Sequence, residues 1–223
     1  MCWSARADAV AGGLVAAAGV ACLVRAHRAG RPERLPLAAL PLVLGAHQLI
    51  EALVWLGTDG GLPDGLAGAA RTAWAVIALP LLPVFVPAAV WCAADGPRRR
   101  VLAALALLGA AVAAPLAVTV GYRPVTATAH GRTLGYAVGV PYPALLLTGY
   151  LLATLGSLLL SGDRLLRHLG LLTGVGAAVC ALLWHLAFIS TWCALAALVS
   201  LLLLPWAGRR PMSETARATG RNR

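Results

Sequence analysis

The chain has 223 residues, of which 60% are hydrophobic and only 12% charged, with a mean hydropathy of +0.82 and a formal net charge of +10. A soluble domain is roughly half apolar and about a quarter charged, so this composition is too poor in charge to clothe a water-facing globule. All 18 basic residues are arginines set in the gaps between apolar runs, a pattern that speaks against a nucleic-acid surface and for a membrane topology signal.

Along the chain, the opening Met1-Cys2-Trp3-Ser4-Ala5 has no basic stretch followed by a cleavage site, so no removable signal peptide is expected. Seven apolar runs then follow, near 7–24, 36–57, 72–94, 101–121, 142–161, 165–185 and 188–206. Each is long enough for a hydrocarbon core of about 30 Å, which takes roughly 17–25 helical residues. Gly, Pro, Asp and Arg punctuate the first six. Between the sixth and seventh, His185-Leu186-Ala187-Phe188 holds no such residue, yet one uninterrupted helix there would overshoot the bilayer, so a turn is required. Between the fourth and fifth, Val125–Ala129 alternates, His130-Gly131 reads as a turn and Arg132–Tyr136 follows; a short β-hairpin over the outer face is expected.

Arginine placement orients the bundle. Fourteen arginines fall in segments 25–35, 95–100, 162–167 and the tail, against four on the other side, Arg6, Arg71, Arg123 and Arg132. The excess belongs in the cytoplasm. The expectation is an all-α integral membrane protein of the cell membrane, a seven-transmembrane-helix bundle with its N-terminus outside. Residues 1–206 form one domain, and 207–223 a basic, disordered cytoplasmic tail. The lack of lysine beside abundant Ala, Leu, Gly, Arg and Pro is the bias of a GC-rich genome, as in actinobacteria.

Of the eight acids, Asp8, Glu33, Asp59, Asp64, Asp95, Asp163 and Glu214 fall in termini, loops or span edges, leaving Glu51 well inside a span. A carboxylate near mid-membrane costs on the order of 2–3 kcal/mol or more unless partnered, protonated or hydrated, which makes it a functional candidate. His47 and Gln48 precede Glu51 by four and three residues and share its helical face, with Trp55 one turn further out. At about 1.5 Å per residue, Glu51 sits roughly 9 Å below the outer end. His185 closes the sixth run at similar depth. Cys2, Trp3 and Ser4 head the first, and Trp74, Tyr142, Trp184, Ser190 and Trp192 belong to outer ends. The bland reading is a polar stripe that merely joins helices by hydrogen bonds, with Trp and Tyr as interfacial belts; Trp91 and Trp206 fit such a belt on the inner side. Gly12-Gly13 and Gly19 suit close helix packing.

Taken together, Met1-Cys-Trp-Ser-Ala5, Leu37–Gly45, His47-Gln48-Leu-Ile-Glu51-Ala-Leu-Val-Trp55 and Ile189-Ser190-Thr191-Trp192-Cys193 resemble an uncharacterised family of small bacterial and algal membrane proteins. Its members open Met-Cys-Phe-Ser-Ala and carry a Gln-x-x-Glu-Gly-x-x-Trp helix; here Trp3 and Ala52 replace the usual Phe and Gly. In architecture alone the chain also looks like small seven-helix terpene cyclases, whose membrane-embedded carboxylates protonate an epoxide or alkene. It departs from them in having no second clear acid near the C-terminus.

Four functions compete. The first is an enzyme acting on a lipophilic small molecule, terpene-cyclase-like, with Glu51 as general acid, His47 and Gln48 tuning it, and His185 as base or relay. Trp3, Ser4, Trp55, Tyr142, Trp184 and Trp192 would line the substrate, and no cofactor is expected. The second is a metal site built from His47, Glu51, His185 and either Cys2 or Cys193. The third is a proton- or cation-coupled transporter, and the fourth a non-catalytic membrane subunit. Membrane lipids are the expected surroundings, and nucleic acid is not an expected partner.

Overall fold

The computed structural model describes residues 4–183 and 187–209. Among them, seven helices are long and apolar enough to cross a hydrocarbon layer: α1 (Ala5–Arg28), α2 (Pro32–Thr58), α3 (Asp64–Cys92), α4 (Arg98–Tyr122), α5 (Pro143–Leu160), α6 (Arg164–Leu183) and α7 (Phe188–Ala207). Residues 184–186, on which the turn expected between the sixth and seventh runs bears, lie outside the described residues. Outward faces are strongly apolar, with Leu107 73% and Leu182 83% exposed. Such an apolar outward surface is compatible with a multi-pass membrane protein.

Local chemistry sets the helix ends. The Ser4 hydroxyl accepts the Ala7 N–H at 3.2 Å and caps α1, while Arg25, His27 and Arg28 occupy its last turn, where the helix dipole favours cations. Asp163 caps α6, its Oδ1 accepting from Leu165 N at 2.7 Å and Leu166 N at 3.3 Å. α3 starts at Asp64, ahead of its apolar run, because Pro63 and Asp64 supply a helix start that hydropathy does not register.

Two features position the interior. The first is the close approach of α1 and α2. A Cβ added at Gly45 would lie 2.8 Å from the Gly12 carbonyl oxygen, so backbone nearly meets backbone there. The buried face of α1 is a stripe in which Asp8, Gly12, Val15, Gly19, Cys22 and Ala26 recur every three or four residues. The second is a π-helical turn in α3 at Ile77–Leu81, which contains Pro80. The Leu82 N–H reaches back to the Ile77 carbonyl, and Pro83 has no N–H. The Ala78 carbonyl is thereby left without a helical donor, and the Tyr150 hydroxyl of α5 donates to it at 2.9 Å.

A two-stranded antiparallel hairpin, β1 (Thr126–His130) and β2 (Thr133–Ala137), runs in register from Thr126↔Ala137 to His130↔Thr133. Gly131 turns it with φ +62°, a left-handed conformation that glycine adopts without penalty. Leu134, Val125 and Val138 are buried, so the hairpin packs on one end of the bundle. At the opposite end, Arg25 Nη1 donates to the Leu204 carbonyl at 3.1 Å, and Arg34 Nη1 to those of Trp206 at 3.0 Å and Arg209 at 2.9 Å. Trp206 does not sit in an interfacial belt there. It is buried, with the Arg34 guanidinium 5.1 Å from its ring centroid and its Nε1–H donating to Asp163 Oδ2 at 3.2 Å.

Candidate functional site

Beneath the hairpin, polar side chains converge where hydropathy alone would place only hydrocarbon. Asp8, His47 and Glu51 are each 0% exposed and Gln48 1%. Glu51 accepts a hydrogen bond at Oε1 from the Ser190 hydroxyl of α7. Its Oε2, both oxygens of Asp8, both ring nitrogens of His47 and the amide oxygen and nitrogen of Gln48 are buried with no hydrogen-bonding partner among the described residues. Buried polar groups in folded proteins are paired as a rule, so this many open valences in one place are unusual and call for water or a small ligand.

Two indoles border the acids. The Trp74 N–H of α3 approaches Glu51 and the Trp55 N–H of α2 approaches Asp8, each looser than a well-formed hydrogen bond. The His47 ring centroid is 5.2 Å from that of Trp74, with the planes 30° apart. Tyr136 of β2 stacks on the other side of Trp74 at 3.4 Å and 4°. The hairpin therefore closes the site from above by stacking on its wall.

Asp8 lies on the face of α1 that packs against α2. It stands one helical turn above Gly12 on the stripe that meets α2, and the Gly12–Gly45 approach carries it there. Counting residues from the terminus places Asp8 at a span edge, which hides its role. The signal that reveals it is the stripe, whose three- and four-residue steps run from Ala26 up to Asp8 without a break.

On the far side of α7 lies apolar space. A cavity of ≈ 160 Å³ is lined by Leu116, Leu146, Tyr150, Phe188, Trp192 and Cys193, among others. A smaller one of ≈ 50 Å³ shares Tyr150, Trp192 and Cys193. Trp192 is fixed by its Nε1–H donating to the Thr173 carbonyl at 3.1 Å, by an edge contact with Tyr150 at 5.8 Å and by Phe188 stacked at 5.6 Å. The wall between acid and cavity is thus one helix thick, with Ser190 facing the acid and Cys193 lining the cavity.

Of the sequence candidates, Glu51, His47, Gln48 and Trp55 come together, and Trp192 lines the neighbouring cavity. Ser4 is exposed and occupied in capping α1. Tyr142 is 79% exposed at the start of α5, with φ 46°, and contributes to neither the cluster nor the cavity. Cys2, Trp3, Trp184 and His185 lie outside the described residues. Among the described residues, no three His, Cys, Asp or Glu side chains are grouped so as to hold a metal ion.

No curated protein and no solved structure matches the chain. A family model described as a family of unknown function, DUF6629, matches residues 1–218, from the head of α1 through all seven helices and into the tail, and the chain belongs to that family.

Proposed function

We propose that this chain is an integral protein of the cell membrane, with its N-terminus outside and its tail in the cytoplasm, and that it is an enzyme performing acid–base chemistry on a lipophilic substrate of isoprenoid type. Glu51 is the proton donor, in the manner of a terpene cyclase. The observation that carries this reading is a fully enclosed carboxyl, held by Ser190 against an apolar cavity one helix away. An acid enclosed at that depth costs stability unless it is used or neutralised, and general acid catalysis is a use that needs a protonated carboxyl shielded from water. His47 and Gln48 supply the polar surroundings that hold the acid, and His185 at the end of the sixth run is the relay. The Trp192, Tyr150 and Phe188 rings supply π-faces that favour a developing cation.

The test is a product profile from cells expressing the gene with its native neighbours. Glu51→Gln keeps volume and hydrogen bonding but cannot serve as a carboxylic acid. The variant inserts and purifies like wild type and loses at least about a hundredfold in rate, the scale of general acid catalysis. Wild-type product formation by Glu51→Gln refutes the acid role. Proton-coupled transport is the second reading, and Asp8 favours it by adding a second enclosed acid to the first. Proton flux in liposomes that Glu51→Gln abolishes, with no product in cells, decides for transport.

A further inference from the structure

We infer that the pocket between the ends of α1 and α7 is a phosphate site, and that the phosphate is the headgroup of an anionic phospholipid in the leaflet at the arginine end. The site is separate from the acid cluster at the hairpin end, and needs only that the helices lie in lipid. The pocket has a volume of ≈ 400 Å³. It is lined by Arg25, Arg28 and Ala29 from α1 and by Pro205, Gly208 and Arg209 from α7 and its exit. Half of that lining is arginine and none of it is acidic. Among the described residues, none of the three arginines forms an ion pair. A guanidinium is always charged and presents its N–H donors in a planar fork, a geometry that suits phosphate oxygens.

The local structure readies these side chains. Arg25 Nη1 donates to the Leu204 carbonyl at 3.1 Å, which fixes the guanidinium at the cost of one of its five donors. Its aliphatic stem runs beside Gly208. Arg34 Nη1 donates to the Arg209 carbonyl at 2.9 Å and so holds the backbone that carries the third arginine. The last carbonyls of a helix carry partial negative charge and ordinarily disfavour an anion. Here those of Leu204, Trp206 and Arg209 accept from Arg25 and Arg34, so that charge is offset.

Hydrocarbon surface leads to the pocket from both helices. On α1, Val20 and Val24 are exposed and step down to Arg28 at four-residue intervals, along one face. On α7, Leu198 and Leu201 are exposed and lead to Pro205 in steps of three and four residues. A phospholipid with its phosphate among the arginines can lay its acyl chains along these stripes, whereas a soluble phosphate makes no use of them. That continuity favours the lipid, and basic pockets where helices leave the membrane suit anionic headgroups.

The experiment is native mass spectrometry of the purified full chain in detergent, titrated with phosphatidylglycerol, phosphatidylcholine, glycerol 3-phosphate or inorganic phosphate. Wild type binds phosphatidylglycerol in preference to phosphatidylcholine, and neither soluble phosphate displaces it at equal concentration. Removing one arginine weakens the contact by roughly fivefold. The triple variant Arg25→Gln, Arg28→Gln, Arg209→Gln therefore binds phosphatidylglycerol roughly a hundredfold more weakly. Arg100→Gln, Arg164→Gln, Arg167→Gln removes three exposed charges outside the pocket and binds like wild type. Equal losses in the two triple variants, or a wild type without preference over phosphatidylcholine, overturn the site. Displacement of phosphatidylglycerol by inorganic phosphate or glycerol 3-phosphate assigns the pocket to a soluble phosphate and overturns the lipid. Should the first triple variant fail to fold, Arg28→Gln with Arg209→Gln keeps the Arg25–Leu204 bond. That double variant must still bind roughly twenty-fivefold more weakly, and unchanged binding overturns the proposal.

Discussion

The two ends of the bundle hold their polar side chains on opposite terms. At the arginine end, Arg25 and Arg34 donate to backbone carbonyls of α7 and its exit, Asp163 caps α6 while accepting from Trp206, Arg99 lies 4.6 Å from the Trp91 ring centroid, and Arg31 pairs with Glu33 at 2.6 Å. At the hairpin end, Asp8, His47, Gln48 and one oxygen of Glu51 are enclosed and have no hydrogen-bonding partner among the described residues. The first arrangement lowers the free energy of the fold. The second raises it, because desolvated groups without partners cost about 1–3 kcal/mol each. A fold that satisfies its polar groups so fully at one end has no structural need for the exception at the other. Under the proposed function, the hairpin end is the place where stability is given up for chemistry.

The largest effect expected from this contrast is all-or-none. Reporter fusions after residues 30, 97, 164 and 215 report cytoplasm and those near 62 and 130 report the outside, since the arginine excess orients the bundle. A reversed pattern breaks the assignment of the acid cluster to the outer half. Next in size, Glu51→Gln lowers product formation at least about a hundredfold with the thermal midpoint unchanged, whereas Asp163→Asn at the arginine end leaves product formation intact. Gly45→Ala comes third. Its new methyl must displace the backbone of Ala16 and Gly12, so overpacking costs on the order of 1–3 kcal/mol, read as a lower midpoint in detergent. Because it pushes α1 from α2, it also perturbs the acid cluster. Asp163→Ala follows, losing a helix cap worth about 1 kcal/mol together with the Trp206 contact, again without loss of product. Smallest of all, Tyr142→Ala at its exposed position changes product formation by less than about twofold, the range of surface substitutions.

How much of this is legible in the sequence depends on whether a property is local. Helix number follows from run length and hydropathy, and the hairpin follows from alternation around His130-Gly131, because both are set within a few residues of themselves. Membership of a family of unknown function agrees with the expectation of an uncharacterised family. Glu51, His47 and Gln48 are legible as a stripe because three polar residues share a face deep in an apolar run. Asp8 is not legible by distance from the terminus, since its enclosure depends on α2 closing over it at Gly45, a contact between residues far apart in sequence. Nor is the partnership of Trp74 with Tyr136. Trp74 belongs to a span end whose pattern suggests an interfacial aromatic and Tyr136 to the hairpin, and only the docking of the hairpin brings them face to face.

The π turn in α3 has a consequence for the phase of that helix. One residue more than an α-turn requires is accommodated at Ile77–Leu81, and an added residue rotates whatever lies beyond it by about 100°. Trp74 on one side of the turn faces the acids, while Leu82 and Val86 on the other face the ≈ 50 Å³ cavity. The turn thus works as an angular offset that lets a single helix serve two compartments. Deleting Leu79 would remove the extra residue and swing the indole away from Glu51 relative to the cavity-facing Leu82 and Val86.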